Sequence, residues 1–83
     1  MVKIPGRLIV DLLPDGKVRI VFLSNNGDKY ATPITVKDLE AAELFFTTCG
    51  LSAEHATALR AEVSRNKIAG VDTSLDEEIA AKF

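Results

Sequence analysis

Two turn signals lie close together near the start of the chain, and they constrain its fold more than any other feature. Pro14-Asp15-Gly16 and Asn25-Asn26-Gly27 are both typical of β-hairpin loops. The stretches on either side of the first signal, 7–13 and 17–23, are rich in Val, Ile and Leu and alternate in polarity as strands do. We therefore predict that the chain folds back on itself twice and forms an antiparallel meander.

The first loop sets the register of the first hairpin. A three-residue loop with Gly16 in the left-handed position pairs Leu13 with Lys17, and the later pairs follow from that one. In this register, one face of the hairpin is apolar throughout and consists of Leu8, Val10, Leu12, Val18, Ile20 and Phe22. The opposite face brings the opposite charges of Asp11 and Arg19 together. A slip of the register by one residue would mix apolar and charged side chains on each face.

The second loop has two interpretations. A two-residue turn at Asn26-Gly27 would pair Leu23 with Tyr30, whereas a three-residue loop would pair Phe22 with Tyr30. We prefer the three-residue loop, because it directs every second residue of a third strand, 28–34, to the apolar face. Tyr30, Thr32 and Ile34 then face inward. Pro33 faces outward on an outer strand, where a missing N–H is tolerated.

Three helices are predicted to cover the apolar face. Thr35 and Asp38 have the spacing of a capping box, so a first helix is expected over 36–49, with Gly50 just beyond its end. Ser52 is a good N-cap for a second helix over 53–67. Ser74 and Glu77 suggest another capping box and a short helix over 75–82.

The predicted fold class is α+β, with the 83 residues in one domain, 1–83. Its sheet is a three-stranded antiparallel meander in the order 1-2-3, covered on one face by two helices and the short C-terminal helix. The hydrophobic content of 47% and the charged content of 27% are typical of a soluble globular protein. The sequence contains no apolar run long enough to predict a membrane span, and its start lacks the pattern of a secretory signal. The single cysteine suits a reducing compartment. We therefore expect a cytoplasmic protein with no membrane contact.

Catalysis, cofactors and metals find little support in the sequence. Cys49 and His55 flank a tight turn, but Cys49 falls on the apolar stripe of its helix, where a thiol is unreactive. A structural zinc site needs four Cys or His ligands, and the chain has two such residues in total. We expect neither an enzyme nor a bound cofactor or metal.

The outer face of the predicted sheet is the most informative surface. Aliphatic and basic side chains are mixed there, and contiguous apolar patches often mark interfaces. Strand 1 would also be an open edge, able to pair with another copy or with a partner segment. Alternatively, the C-terminal segment 68–83 folds across this face. The predicted interaction residues are Ile9, Leu13, Arg19, Val21, Leu23 and Lys29.

The sequence thus favours a small protein–protein interaction or accessory protein that associates with itself. The alternative is a nucleic-acid-binding module or small regulator that uses the basic outer face, to which Arg7 and Lys17 also contribute. The helix pair 36–49 and 53–67 resembles a helix-turn-helix. It departs from that pattern at Phe46, where close helices need a small residue, and at Glu54, where phosphates would lie.

Overall fold

A computed structural model describes residues 2–25 and 32–83 of the chain. These residues form an antiparallel sheet of four strands, in the spatial order β3-β2-β1-β4, with helices on one face. The elements are β1 (Lys3–Leu12), β2 (Val18–Ser24), β3 (Ile34–Val36), α1 (Leu39–Thr48), α2 (Ala53–Asn66), β4 (Ile68–Asp76) and α3 (Glu77–Ala80). The α+β class is confirmed, whereas the order 1-2-3 with three strands is wrong.

The hairpin of β1 and β2 has the predicted register. Leu8 lies opposite Phe22, and Asp11 lies opposite Arg19. The loop closes through a hydrogen bond of 2.8 Å from the N–H of Leu13 to the carbonyl of Lys17. Gly16 has φ of +90°, a conformation that glycine adopts without a steric penalty. The apolar face is confirmed as the core side of the sheet, because Leu8, Val10, Val18, Ile20 and Phe22 are fully buried.

The described third strand, Ile34–Val36, extends two residues beyond the predicted end at residue 34. The preferred loop would have paired Val18 with Ile34, but Val18 lies opposite Val36, two residues further along. A shift of two residues keeps the same side chains on the same face, so Ile34 still packs against the core. Most of the predicted strand 28–34, Tyr30 included, and the end of its loop lie outside the described residues.

The first helix, α1, begins three residues later than predicted, which leaves Thr35 and Val36 in the sheet. The carboxylate of Asp38 accepts a hydrogen bond of 2.8 Å from the N–H of Ala41, so Asp38 is itself the N-cap. The predicted capping box of Thr35 with Asp38 is therefore wrong, and the helix begins at Leu39 instead of 36. Thr35 pairs with Arg19 in the sheet.

The turn between the two long helices follows the sequence prediction. Gly50 has φ of +100° just after α1, and the hydroxyl of Ser52 accepts a hydrogen bond of 3.1 Å from the N–H of His55. The helices are also joined through Glu43 of α1. Its carboxylate accepts hydrogen bonds of 2.8 Å each from the hydroxyl of Thr57 and the guanidinium of Arg60.

The strand β4 is the main feature that sequence reasoning missed. The sequence pattern predicts a helix up to residue 67 and a capping box at Ser74 and Glu77, with no strand between them. Instead, Lys67 ends α2 in the left-handed conformation, with φ of 70°, and the chain enters a strand that pairs with nearly all of β1, from Lys3 with Asp76 to Asp11 with Ile68. The prediction that strand 1 is an open edge is therefore wrong, because β1 lies between β2 and β4.

The C-terminal segment packs on the same side of the sheet as the long helices. The ring of Phe83 lies 6.0 Å from that of Phe22 and 5.8 Å from that of Phe45, measured between centroids. The helix predicted over 75–82 is shorter, Glu77–Ala80, and its N-cap Asp76 makes no side-chain capping bond. The capping box of Ser74 with Glu77 is wrong, since Ser74 belongs to β4. The alternative in which 68–83 cross the outer face is also wrong.

We predict that Gly6→Ala destabilises the fold by about 1–3 kcal/mol, the usual range for overpacking. Gly6 lies under the ring of Phe22, and an added Cβ would meet the Leu23 carbonyl oxygen and lie 2.7 Å from Phe22 Cζ. Urea unfolding followed by circular dichroism measures the change. Ser74→Ala, at an exposed strand position, serves as the control and should stay within about 0.5 kcal/mol of the original protein. Equal stabilities for the two variants would contradict the packing argument.

We predict that Glu43→Gln lowers stability at neutral pH but not in acid. Hydrogen bonds from Thr57 and Arg60 hold the pKa of Glu43 below its ordinary value. The stabilisation is therefore present above the pKa of the unfolded chain and is lost as the pH falls through the lower folded-state pKa. Urea midpoints between pH 7 and pH 3 test this, with the exposed Glu40→Gln as control. A difference in urea midpoint between Glu43→Gln and the original protein that is as large at pH 3 as at pH 7 would contradict the role given to the Glu43 carboxylate.

Candidate interaction surface

The outer sheet face is the face opposite the helices. Side chains alternate along a strand, so the odd-numbered residues of β1 and β2 and the even-numbered residues of β4 point to it. Its side chains on β1 are Lys3, Pro5, Arg7, Ile9 and Asp11. Those on β2 are Arg19, Val21 and Leu23. Those on β4 are Ile68, Asp72, Ser74 and Asp76, with Gly70 leaving a gap among them.

Four of the six predicted interaction residues lie on this face. They are Ile9, Arg19, Val21 and Leu23. Leu13 is half-buried just beyond the end of β1, and Lys29 lies outside the described residues. The structure thus brings the four together in two neighbouring strands.

An aliphatic row occupies the middle of the outer sheet face. Ile9 and Val21 lie directly opposite each other on neighbouring strands and are half-buried. Leu23 follows Val21 on the same face and is 40% exposed, whereas Ile68, on β4, is 56% exposed. Leu, Ile and Val side chains therefore face away from the core in three adjacent strands.

The charges around this row are paired with one another. Arg19 donates to one carboxylate oxygen of Asp11 from Nη2 at 2.6 Å and from Nε at 3.1 Å. Arg7 donates from Nη1 to Asp72 at 3.0 Å. Lys3 and Asp76 form an ion pair of 2.8 Å that lacks hydrogen-bond geometry. Two of the three acidic partners come from β4, so the sequence prediction of a basic outer face missed them.

Gly70 has a specific role on this face. The guanidinium of Arg7 lies across it, and a Cβ built on Gly70 would be 2.9 Å from Arg7 Nη2 and 3.0 Å from Nε. The absence of a side chain thus lets Arg7 reach over β4 toward Asp72. A glycine inside a stretch with period-two polarity is a sequence signal for such a close approach.

The two edges of the sheet differ in length. β3 has three residues and follows Pro33, whereas β4 has nine residues and contains neither Pro nor Lys. Both ends of the β1–β4 ladder are marked by hydrogen bonds, from Leu12 N to Lys67 O and from Glu77 N to Val2 O. Antiparallel pairing alternates, so odd-numbered residues of β4 bond to β1. The backbone groups of residues 68, 70, 72 and 74 consequently point away from the sheet.

The structure places Cys49 and His55 in different environments. Cys49 is 4% exposed, whereas His55 is exposed. Burial raises the pKa of the Cys49 thiol to about 11, against a smaller opposing effect of Lys82. The thiol is therefore protonated at neutral pH and is a poor nucleophile. Among residues 2–25 and 32–83, no three His, Cys, Asp or Glu side chains are grouped as metal ligands.

No protein-family model, curated protein or solved structure matched the chain. None of the helices in the described ranges combines the length and the hydropathy that crossing a membrane requires.

We predict that Cys49 reacts slowly with a thiol reagent in the native protein. A pKa near 11 in place of an ordinary value of 9.0 leaves roughly a hundredfold less thiolate at pH 8. The rate of modification by Ellman's reagent, measured with and without unfolding concentrations of urea, tests this. Similar rates in the two conditions would show that the thiol is accessible and ionised in the folded state.

Proposed function

We propose that this chain is a small protein–protein interaction or accessory protein that associates with itself through the outer sheet face and carries out no catalysis. The observation that supports this most is the aliphatic row of Ile9, Val21 and Leu23 on the sheet face opposite the helices. A contiguous apolar patch bordered by polar residues is typical of an interaction site. Burying it against a second copy removes apolar surface from water, which favours association.

The paired charges support a protein partner more than a nucleic acid. A phosphate backbone is bound by cations that give up small counterions and gain phosphate contacts. On the outer sheet face, Arg7 and Arg19 already donate to Asp72 and Asp11, and these carboxylates would repel phosphates. In a protein interface, the same ion pairs form a polar rim around the apolar centre.

We predict that Leu23→Glu weakens self-association by about tenfold or more, because a charge replaces an exposed leucine in the apolar row. A tenfold change corresponds to about 1.4 kcal/mol. Sedimentation equilibrium over a range of protein concentrations measures it. The fold should be little affected, since Leu23 is already 40% exposed.

Leu44→Glu is the matched control for this experiment. Leu44 is 66% exposed on α1, on the helical side of the sheet, so the same substitution should leave association unchanged. A protein that stays monomeric at high concentration, or a larger loss from Leu44→Glu than from Leu23→Glu, would remove the basis of the proposal.

A further inference from the structure

We propose that β4 pairs with β4 of a second copy in an antiparallel arrangement centred on Val71, which joins two four-stranded sheets into one of eight strands. This inference shares with the proposed function the premise that the chain associates with itself. It assigns a second contact, at the sheet edge, that is separate from the outer sheet face. The occupant of the edge is a second copy of this chain.

The edge of β4 lacks most of the features that normally block strand addition. Proteins protect exposed edges with short strands, prolines, bulges and charged side chains, lysine above all. β3 is protected in this way by its length of three residues and by Pro33, but β4 runs for nine residues without Pro or Lys. β4 carries two charges, Asp72 and Asp76, and each is paired with a basic residue of β1. Within residues 2–25 and 32–83, no backbone hydrogen bond is made to the outward groups of residues 68, 70, 72 and 74.

The outward backbone groups limit the possible registers. They belong to even-numbered residues, so a second β4 must pair even-numbered residues with even-numbered ones. Centring on Val71 pairs Ile68 with Ser74 and Gly70 with Asp72 of the second copy, which gives roughly eight hydrogen bonds between the strands. Centring on residue 72 would place two Asp72 carboxylates directly opposite each other, which is destabilising.

Arg7 supplies the charge complementarity that favours a second copy over another extended segment. Its guanidinium lies across Gly70. In the register centred on Val71, Asp72 of the second copy is opposite Gly70 and therefore beside Arg7. Asp72 is 84% exposed, and one of its oxygens accepts from Arg7 of its own chain. The two copies would thus form a ring of two guanidinium and two carboxylate groups around the symmetry axis.

A groove runs along the same edge on the helical side of the sheet. It is lined by Leu51, His55, Ala58, Leu59, Glu62, Gly70 and Val71, and it lies between α2 and β4. Val71 is half-buried there and would face Val71 of the second copy at the axis. Ala58, on the α2 side of the groove, is exposed and has a small side chain.

The first test removes an outward backbone donor from each edge in turn. The background is Leu23→Glu, which weakens the outer-face contact and lies two strands away from β4. Adding Ser74→Pro removes an outward N–H from β4. Thr35→Pro is the equivalent change on β3, because the N–H of Thr35 also points away from the sheet, between the two residues that bond to β2. Light scattering after size exclusion should show a dimer for Leu23→Glu and for its Thr35→Pro derivative. The Ser74→Pro derivative should be a monomer.

The second test reads the register and does not depend on the proline variants folding. In a Cys49→Ala background, Val71→Cys would bring two thiols together at a non-hydrogen-bonded pair, a geometry that suits a disulfide. Oxidised glutathione takes up the two electrons and two protons and is released as two reduced molecules. Val71→Cys should give a covalent dimer. Thr73→Cys, which faces Ala69 of the second copy, should give at least tenfold less.

The outcomes separate this inference from the proposed function. If Leu23→Glu is a monomer while the original chain associates, the edge contact is wrong and the outer-face proposal stands. If Ser74→Pro alone abolishes association and Leu23→Glu has no effect, the edge contact stands and the outer-face proposal falls. A stronger Thr73→Cys crosslink overturns the register. A chain that is monomeric at every concentration overturns both, even if another protein binds the edge.

Discussion

The structure depends on β1 being hydrogen-bonded along both of its sides. Its odd-numbered residues bond to β2, as the contacts of Pro5 with Asn25 and of Leu13 with Lys17 show. Its even-numbered residues bond to the β4 side, from Val2 with Glu77 to Leu12 with Lys67. With both sets of backbone groups paired, the central even-numbered side chains of β1, Leu8 and Val10, can be buried completely beneath the helices. The outer sheet face and the open edge of β4 are both consequences of this central position.

The hairpin was predictable because its information is local. Pro14, Asp15 and Gly16 specify a loop type, and that loop alone fixes which residues of β1 and β2 face each other. The alternation of apolar and charged residues then confirmed the same register independently. Gly50 and Ser52 were likewise sufficient to place the turn between α1 and α2, because helix caps act within a few residues.

β4 was not predictable in the same way, because its pairing partner lies more than fifty residues earlier. Its local pattern was ambiguous: Ser74 and Glu77 have the spacing of a capping box, and Ile68 follows a helix without a proline between them. Pairing with β1 outweighed these local preferences, as tertiary contacts often do. The period-two placement of Ala69, Val71, Thr73 and Leu75 carried the signal, but Gly70 weakened it. The site was affected in the same way: Ile9, Arg19, Val21 and Leu23 follow from the hairpin, whereas the pairing of Arg7 with Asp72 required β4.

The distance in sequence between β1 and β4 has a consequence for the chain while it is being made. The hairpin can close as soon as Ser24 has left the ribosome, but the other side of β1 has no partner until residues 68–76 emerge. Contacts between distant segments also form slowly, because closing a long loop costs entropy before any pairing compensates for it. During translation the exposed side of β1 is therefore open to pairing with other nascent chains until β4 has been made and covers it.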